Sequence, residues 1–173
     1  YGVPKEPLKV IGEAAETGTE IVFYPNDDIF ETTEFNFDTL KNRLREMAFL
    51  NSGVSIILKD LRGDDDKSMK FFYEGGLNHF VKYLNRAKEP VGKDPIYIKE
   101  EKDESIVEVS MQYTSSYNES IFAFTNNIAN PEGGTHVSGF RSAITRVIND
   151  YAKRYKILKE SDANLSGEDV REG

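Results

Sequence analysis

Apolar positions recur along this chain with two different periods, and each change of period marks an element. The first 18 residues, with Pro4, Pro7, Gly2, Gly12 and Gly18, have weak periodicity and predict loops and a short strand. Glu20 to Tyr24 is a short β-prone run closed by Pro25-Asn26-Asp27-Asp28, which predicts a strand and then a turn. From Asp38 the spacing becomes helical. Leu40, Leu44, Met47 and Ala48 share one face, Asp38 stands at the expected N-cap, and Asn51-Ser52-Gly53 supplies the stop. Val54 to Leu61 and Ser68 to Tyr73 read as strands of a hairpin whose charged tip is Arg62-Gly63-Asp64-Asp65-Asp66-Lys67. Gly75-Gly76 opens a second helix through Asn85, with Leu77, Phe80, Val81 and Leu84 on one stripe. Pro95 to Glu100, Ile106 to Thr114 and Ser120 to Thr125 then predict a three-strand meander, the last two strands joined by a polar turn at Ser115 to Asn118. Val107, Val109 and Met111 alternate with Glu108, Ser110 and Gln112, as on a sheet wet on one face. Phe140, Ile144, Val147, Ile148 and Tyr151 give a long helix, from about His136 to Lys156, a stripe for the dry face to accept. Ser166-Gly167-Glu168-Asp169 has capping-box spacing and starts a further helix where the chain stops, so the C-terminus is expected to be truncated.

Helices alternating with strands place the chain in a mixed α/β (α+β) class, and 173 residues suffice for one domain, or one domain with a fragment of another. With 38% hydrophobic and 30% charged residues it is too apolar for a disordered polymer and too polar for a membrane protein. No apolar run reaches the roughly 20 residues that span a bilayer, so no membrane role is expected and the cytoplasm is the default location. The absence of cysteine removes disulfides and thiolate metal sites, and His79 and His136 are too isolated to build a histidine site. A net charge of −8 opposes wrapping by nucleic acid over the whole surface. One segment breaks that trend. Between Val137 and Lys159, Arg141, Arg146, Lys153, Arg154, Lys156 and Lys159 face Asp150 alone, so any nucleic-acid role is local to this helix.

The candidate chemistry sits mostly at the head of the same helix. Glu132-Gly133-Gly134-Thr135-His136 combines glycines that permit close backbone approach with a helix start whose free N–H groups attract anions. It lacks the Lys-Ser/Thr ending of a P-loop and the spacing of a dinucleotide fingerprint, which favours a structural strand-to-helix turn over a phosphate cradle. His136 at that position suits hydrogen bonding or packing. Arg141 and Arg146 are equally readable as phosphate-backbone contacts or as a solvated cationic face. Thr17-Gly18-Thr19 offers hydroxyls to a ligand, though such turns are ordinarily turns. The Asp64-Asp65-Asp66 triplet is better read as a solvated turn than as a metal site, because a divalent cation needs several convergent oxygens and no partner cluster is visible. Neither histidine sits in a Ser/His/Asp grouping.

Read together, these segments resemble the B subunit of DNA gyrase, the ATP-driven half of a bacterial or archaeal type IIA topoisomerase. The resemblance covers almost the whole chain. It is carried by Thr125-Asn126-Asn127-Ile128, Glu132-Gly133-Gly134-Thr135-His136, Gly139-Phe140-Arg141, Thr145-Arg146 and Leu165-Ser166-Gly167-Glu168-Asp169-Val170-Arg171-Glu172-Gly173, in that order. The stretch Leu44 to Val54 and Tyr73-Glu74-Gly75-Gly76-Leu77 add support, and Phe49-Leu50-Asn51-Ser52-Gly53 looks more like gyrase than its paralogue topoisomerase IV.

The resemblance implies a transducer domain at 25–173, truncated at its C-terminus, preceded at 1–24 by the end of a GHKL-type ATPase domain. It implies a mixed β-sheet backed by helices, like a ribosomal protein domain, with a left-handed β-α-β crossover that runs against the usual handedness. Thr17, Gly18 and Thr19 resemble the last ATPase box, in which Thr19 would help hold adenine through water. The remaining nucleotide boxes and the Gln-Thr-Lys loop that contacts the γ-phosphate are not found in this sequence. The expectation is therefore a piece inactive alone, with no catalytic residue and no bound cofactor, in a parent that uses ATP and Mg2+. The implied partners are the gyrase A subunit, a second copy of the B subunit and a transported segment of duplex DNA. In such a parent Arg141 would face the cavity through which that DNA passes, with Arg146 on the same helix. Glu132 to His136 would then be a packing hinge. Two other readings follow from the residues alone: a nucleotide-binding module using Thr17 to Thr19 and the Gly133-Gly134 turn, and an autonomous DNA-binding module centred on Arg141 and Arg146.

Overall fold

The computed structural model describes residues 3–63 and 67–173. The Asp64 to Asp66 tip of the predicted hairpin lies outside them. The chain separates into two compact units, Tyr1–Phe35 and Asn36–Gly173, a division eleven residues beyond the boundary at 24/25 expected from sequence.

In the first unit no described residue is buried, and the predicted strand Glu20 to Tyr24 is irregular exposed chain. Among the described residues no second strand lies beside it to supply ladder partners, and an isolated β-prone run has nothing to pair with. Only the turn is as predicted. Asn26 accepts the Asp28 amide on its side chain at 2.8 Å and the Ile29 and Phe30 amides on its carbonyl at 3.1 and 3.0 Å. Phe23 and Phe35 meet edge to face at 6.1 Å.

The second unit begins with α1, Phe37–Leu50. Its N-cap is Asn36, whose side chain accepts the Thr39 amide, while Asp38 falls in the first turn. A carboxylate there still favours the positive end of the helix dipole, which is why Asp38 looked like the cap. β1, Ile56–Asp60, pairs antiparallel with β2, Lys67–Phe71, in the register Ile56↔Phe71 to Asp60↔Lys67. α2, Gly76–Leu84, follows. β3, Ile96–Lys102, pairs with β4, Ser105–Met111, through a two-residue loop in which Asp103 and Glu104 both have positive φ, 49° and 63°. Such loops match the right-handed twist of their strands. β5, Phe124–Thr125, and β6, Ile128–Ala129, form a second hairpin of that kind, and then come α3, Thr135–Arg154, and α4, Gly167–Arg171.

The mixed α/β class is as the sequence predicts, but the strands form three separate two-stranded antiparallel sheets. No parallel pair exists among the described residues from which a β-α-β handedness could be read. The third strand of the predicted meander does not join β4. Phe122 and Phe124 instead contact Phe80, with ring centroids at 5.7 and 6.3 Å, and Phe122 stays 54% exposed. Past the end of β3, residues 89–91 continue its pairing with the chain after β4: Pro90 bridges Thr114, and the Val91 amide donates to the Tyr113 carbonyl at 2.9 Å.

The core centres on Phe49, 1% exposed, which stacks on Tyr73 at 3.7 Å and on Phe80 at 5.2 Å and touches Tyr83 at 5.5 Å. Ala48 and Phe71 complete it. α3 packs chiefly against α4, not against a sheet face. The predicted stripe is therefore only partly covered, with Val147 and Tyr151 exposed by 55% and 54%, while the buried α3 residues are Asn149 and Ala152. The reason is geometric. α4 is five residues long, too short to cover the length of a 20-residue helix.

Candidate functional site

Two of the gyrase-like motifs owe their shape to a hairpin docked on the end of α1. Asn126 and Asn127 both have positive φ, 50° and 65°, a conformation asparagine tolerates better than other side-chain-bearing residues. The Asn127 side-chain amide then donates to the Asn51 side chain at 2.9 Å, and Arg43 donates to the Asn127 carbonyl at 3.2 Å. Ser52 donates to the Glu74 carbonyl, which ties the end of α1 to the turn before α2.

The glycine turn leads from β6 into α3. Gly133, with φ 76°, donates its amide to the Asn130 carbonyl at 2.9 Å, and this backbone angle is one that a β-carbon would strain. Gly134 is the N-cap without a side-chain cap, and its carbonyl accepts the Val137 and Ser138 amides, both at 3.1 Å. Glu132, Thr135 and His136 are exposed, and Gly133 is half-buried.

Two turns further along α3 lies a cavity of ≈ 470 Å³, lined by Arg141, Ser142, Thr145, Arg146, Asn149 and Asp150 of α3 and by Asn164, Leu165, Gly167 and Arg171 from α4 and its approach. Helical spacing explains the α3 contribution, since residues four apart share a face. Asn149 anchors the opposite wall: its side chain, 5% exposed, donates to the Leu165 carbonyl at 3.0 Å and accepts the Leu165 amide at 2.8 Å. The α4 end is set by a full capping box, with Ser166 accepting the Asp169 amide at 3.2 Å and Asp169 accepting the Ser166 amide at 2.8 Å. Hydrogen bonding from Ser166, side chain first and backbone second, holds the Asp169 carboxyl below the usual range.

One carboxylate joins the walls. Glu119 Oε1 accepts from Arg141 Nε at 3.1 Å and from Arg171 Nε at 3.0 Å. Arg171 also donates to the Thr145 hydroxyl at 3.5 Å, and its side chain is 19% exposed against 44% for Arg141. The Arg146 guanidinium has no ion pair or hydrogen bond among the described residues. The site thus carries three guanidinium groups against Asp150 and Glu119, an arrangement that attracts phosphate-like anions.

The sequence picked Arg141 and Arg146 but missed Arg171, Glu119 and Asn149. Arg171 was visible within the terminal motif; its role follows from α4 folding back onto α3, which no local pattern encodes. Thr17, Gly18 and Thr19 belong to the first unit and are exposed, with no hydrogen bond among the described residues. By themselves they present two exposed hydroxyls and backbone. No cluster of three or more acidic or histidine side chains able to hold a metal occurs among the described residues, and none of their helices is long and apolar enough to cross a membrane.

A family model described as DNA gyrase B matches residues 76–173. The B subunit of DNA gyrase from Clostridium acetobutylicum is 56% identical over 173 residues, covering 99% of this chain and 27% of that protein. Its counterpart from Halalkalibacterium halodurans is 53% identical over 173 residues, again 99% of this chain and 27% of that protein. The chain therefore spans about a quarter of the length of these relatives. Among solved structures, the 43K ATPase domain of Thermus thermophilus gyrase B in complex with an aminocoumarin matches with a TM-score of 0.74 at 33% identity, covering 86% of this chain and 40% of that one. The B subunit of DNA gyrase from Myxococcus xanthus matches with a TM-score of 0.66 at 22% identity, over 74% of this chain and 36% of that one, a likeness of fold.

Proposed function

The chain belongs to the DNA gyrase B family, and on that premise we propose that it is a transducer, the module that converts nucleotide state in a neighbouring ATPase domain into DNA gate opening in an ATP-dependent type II topoisomerase. The observation that supports this reading is the arginine-lined cavity beside α3, presented by a 20-residue helix that is ~30 Å long and stiff enough to move as a lever. In this reading residues 1–24 close an ATPase domain and residues 25–173 transmit its state. Bound ATP with Mg2+ would supply the driving hydrolysis in the parent; no step of it is assigned to this chain, whose Thr17, Gly18 and Thr19 would only help hold the nucleotide. Arg141 and Arg146 attract the backbone of a passing duplex, a contact that salt screens and that suits transit better than storage. Glu132 to His136 hold the head of α3 in place. The gyrase A subunit, a second B subunit and the transported duplex are the partners, in the cytoplasm.

The test uses the complete B subunit reconstituted with the gyrase A subunit. Arg141→Ala with Arg146→Ala should lower DNA-stimulated ATP turnover and strand passage while ATP hydrolysis without DNA holds. Unchanged strand passage would overturn the reading. Calorimetry of this chain with a non-hydrolysable ATP analogue should give no binding, and micromolar affinity would favour the nucleotide-binding module. The same cavity also favours a second reading, an autonomous DNA-binding module. Tight duplex binding by this chain at physiological salt, abolished by the double variant, would establish it.

A further inference from the structure

The carboxylate of Glu119 sits between two guanidinium groups. It accepts from both Arg141 and Arg171, but the two guanidinium groups are placed differently. Arg171 is largely sheltered and has a second acceptor in Thr145, while Arg141 is nearly half exposed and makes one side-chain hydrogen bond, through Nε. A guanidinium has five N–H donors, so most of those of Arg141 remain unused and point into solvent or the cavity. Arg146, on the same wall, is unpaired among the described residues.

Resting on the reading of this face as a DNA contact, we propose that Glu119 is a built-in competitor that occupies Arg141 until a phosphodiester of duplex DNA displaces it, and that falls back on Arg171 when displaced. The exchange conserves charge pairing. Arg141 trades one anionic acceptor for another, Glu119 keeps an ion pair with Arg171, and the α3–α4 wall stays in place through Asn149. The consequence is a contact weakened at one point: a phosphate that takes the Arg141 Nε–H must replace Glu119, whereas Arg146 on the same wall has no partner to give up among the described residues. A bare arginine cluster of the same size would hold DNA longer.

Binding of this chain to a short labelled duplex is measured by fluorescence anisotropy from about 50 to 200 mM salt, where one added phosphate contact steepens the logarithmic salt slope by about 0.9. Glu119→Gln keeps a hydrogen-bond acceptor for both arginines while removing the charge. It should bind about threefold or more tightly at low salt, with a steeper slope. Glu101→Gln, on an exposed face of β3, removes the same charge elsewhere and should do neither. In an Arg141→Ala background the Glu119→Gln gain should vanish. If Arg141→Ala weakens binding but Glu119→Gln behaves like Glu101→Gln, the competitor is overturned and the DNA face stands. If neither the parent chain, Glu119→Gln nor any arginine variant distinguishes itself in DNA binding, both fall. Should Glu119→Gln fail to fold, the unmutated chain decides. Added duplex should shift the Arg141 Nε–H resonance and spare that of Arg171, and a bound duplex that leaves Arg141 unmoved overturns the proposal. Competition by inorganic pyrophosphate at micromolar concentration would identify a site for free polyphosphate and also overturn it.

Discussion

The two halves of the second unit are held by different forces. Around Phe49, α1, α2 and the β1–β2 hairpin gather stacked rings, with Arg45 lying over Phe71 and Tyr83 at the margin. Around Asn149, α3 and α4 are joined by amide hydrogen bonds, a capping box and the Glu119 ion pairs, with only Ala152 and Val170 as buried apolar side chains. Burial is roughly insensitive to salt and tolerates little rearrangement. Ion pairs exposed to solvent are weak, screened and exchangeable. The candidate site lies in the exchangeable half.

The contrast is broken most strongly at its rigid end. Phe49→Ala removes the ring on which Tyr73 and Phe80 stack, and should cost about 3–5 kcal/mol in denaturant unfolding. A loss below about 1 kcal/mol would mean the rings are not the core. In the polar half, Asn149→Ala strands the amide and carbonyl of Leu165 and should cost about 1–3 kcal/mol. The same variant should loosen amide exchange at Leu165 and in α4 while sparing α1, and equal loosening in both would erase the distinction. The smallest effect sharpens the comparison. Ser166→Ala removes the cap of α4 and should cost about 1 kcal/mol near neutral pH. Because the folded Asp169 carboxyl titrates below its ordinary value near 3.9, the capping box contributes fully above that value and its contribution is lost as pH falls through the lowered one. The parent and Ser166→Ala melting temperatures should therefore converge toward acid pH, whereas the Phe49→Ala deficit should not.

Local pattern sufficed to place α1, α2 and α3, and in α2 the stripe Leu77, Phe80, Val81 and Leu84 also declares the inward face, whereas in α3 Val147 and Tyr151 stay exposed and Asn149 and Ala152 are buried. It sufficed too for the β1–β2 and β3–β4 hairpins, whose strands are neighbours in the chain. It failed where a segment had to choose between partners. Ser120 to Thr125 has β-prone composition, yet Phe122 and Phe124 lie against Phe80, and Phe124-Thr125 pairs with Ile128-Ala129 rather than with β4. Glu20 to Tyr24 has the same composition and no partner strand.

What the sequence alone determined was the order of the four helices and of the first two hairpins, the acidic chain with one basic helix, the glycine turn at Gly133-Gly134, and a motif series specific enough to indicate the family. Each of these is written in residues close together along the chain. The return of α4 onto α3 was settled only in three dimensions. That contact puts Arg171 across from Arg141, sets Glu119 between them, and buries Asn149 against Leu165. These partners are 16 to 52 positions apart, and the helical and strand periods that make a sequence legible carry no information at that range.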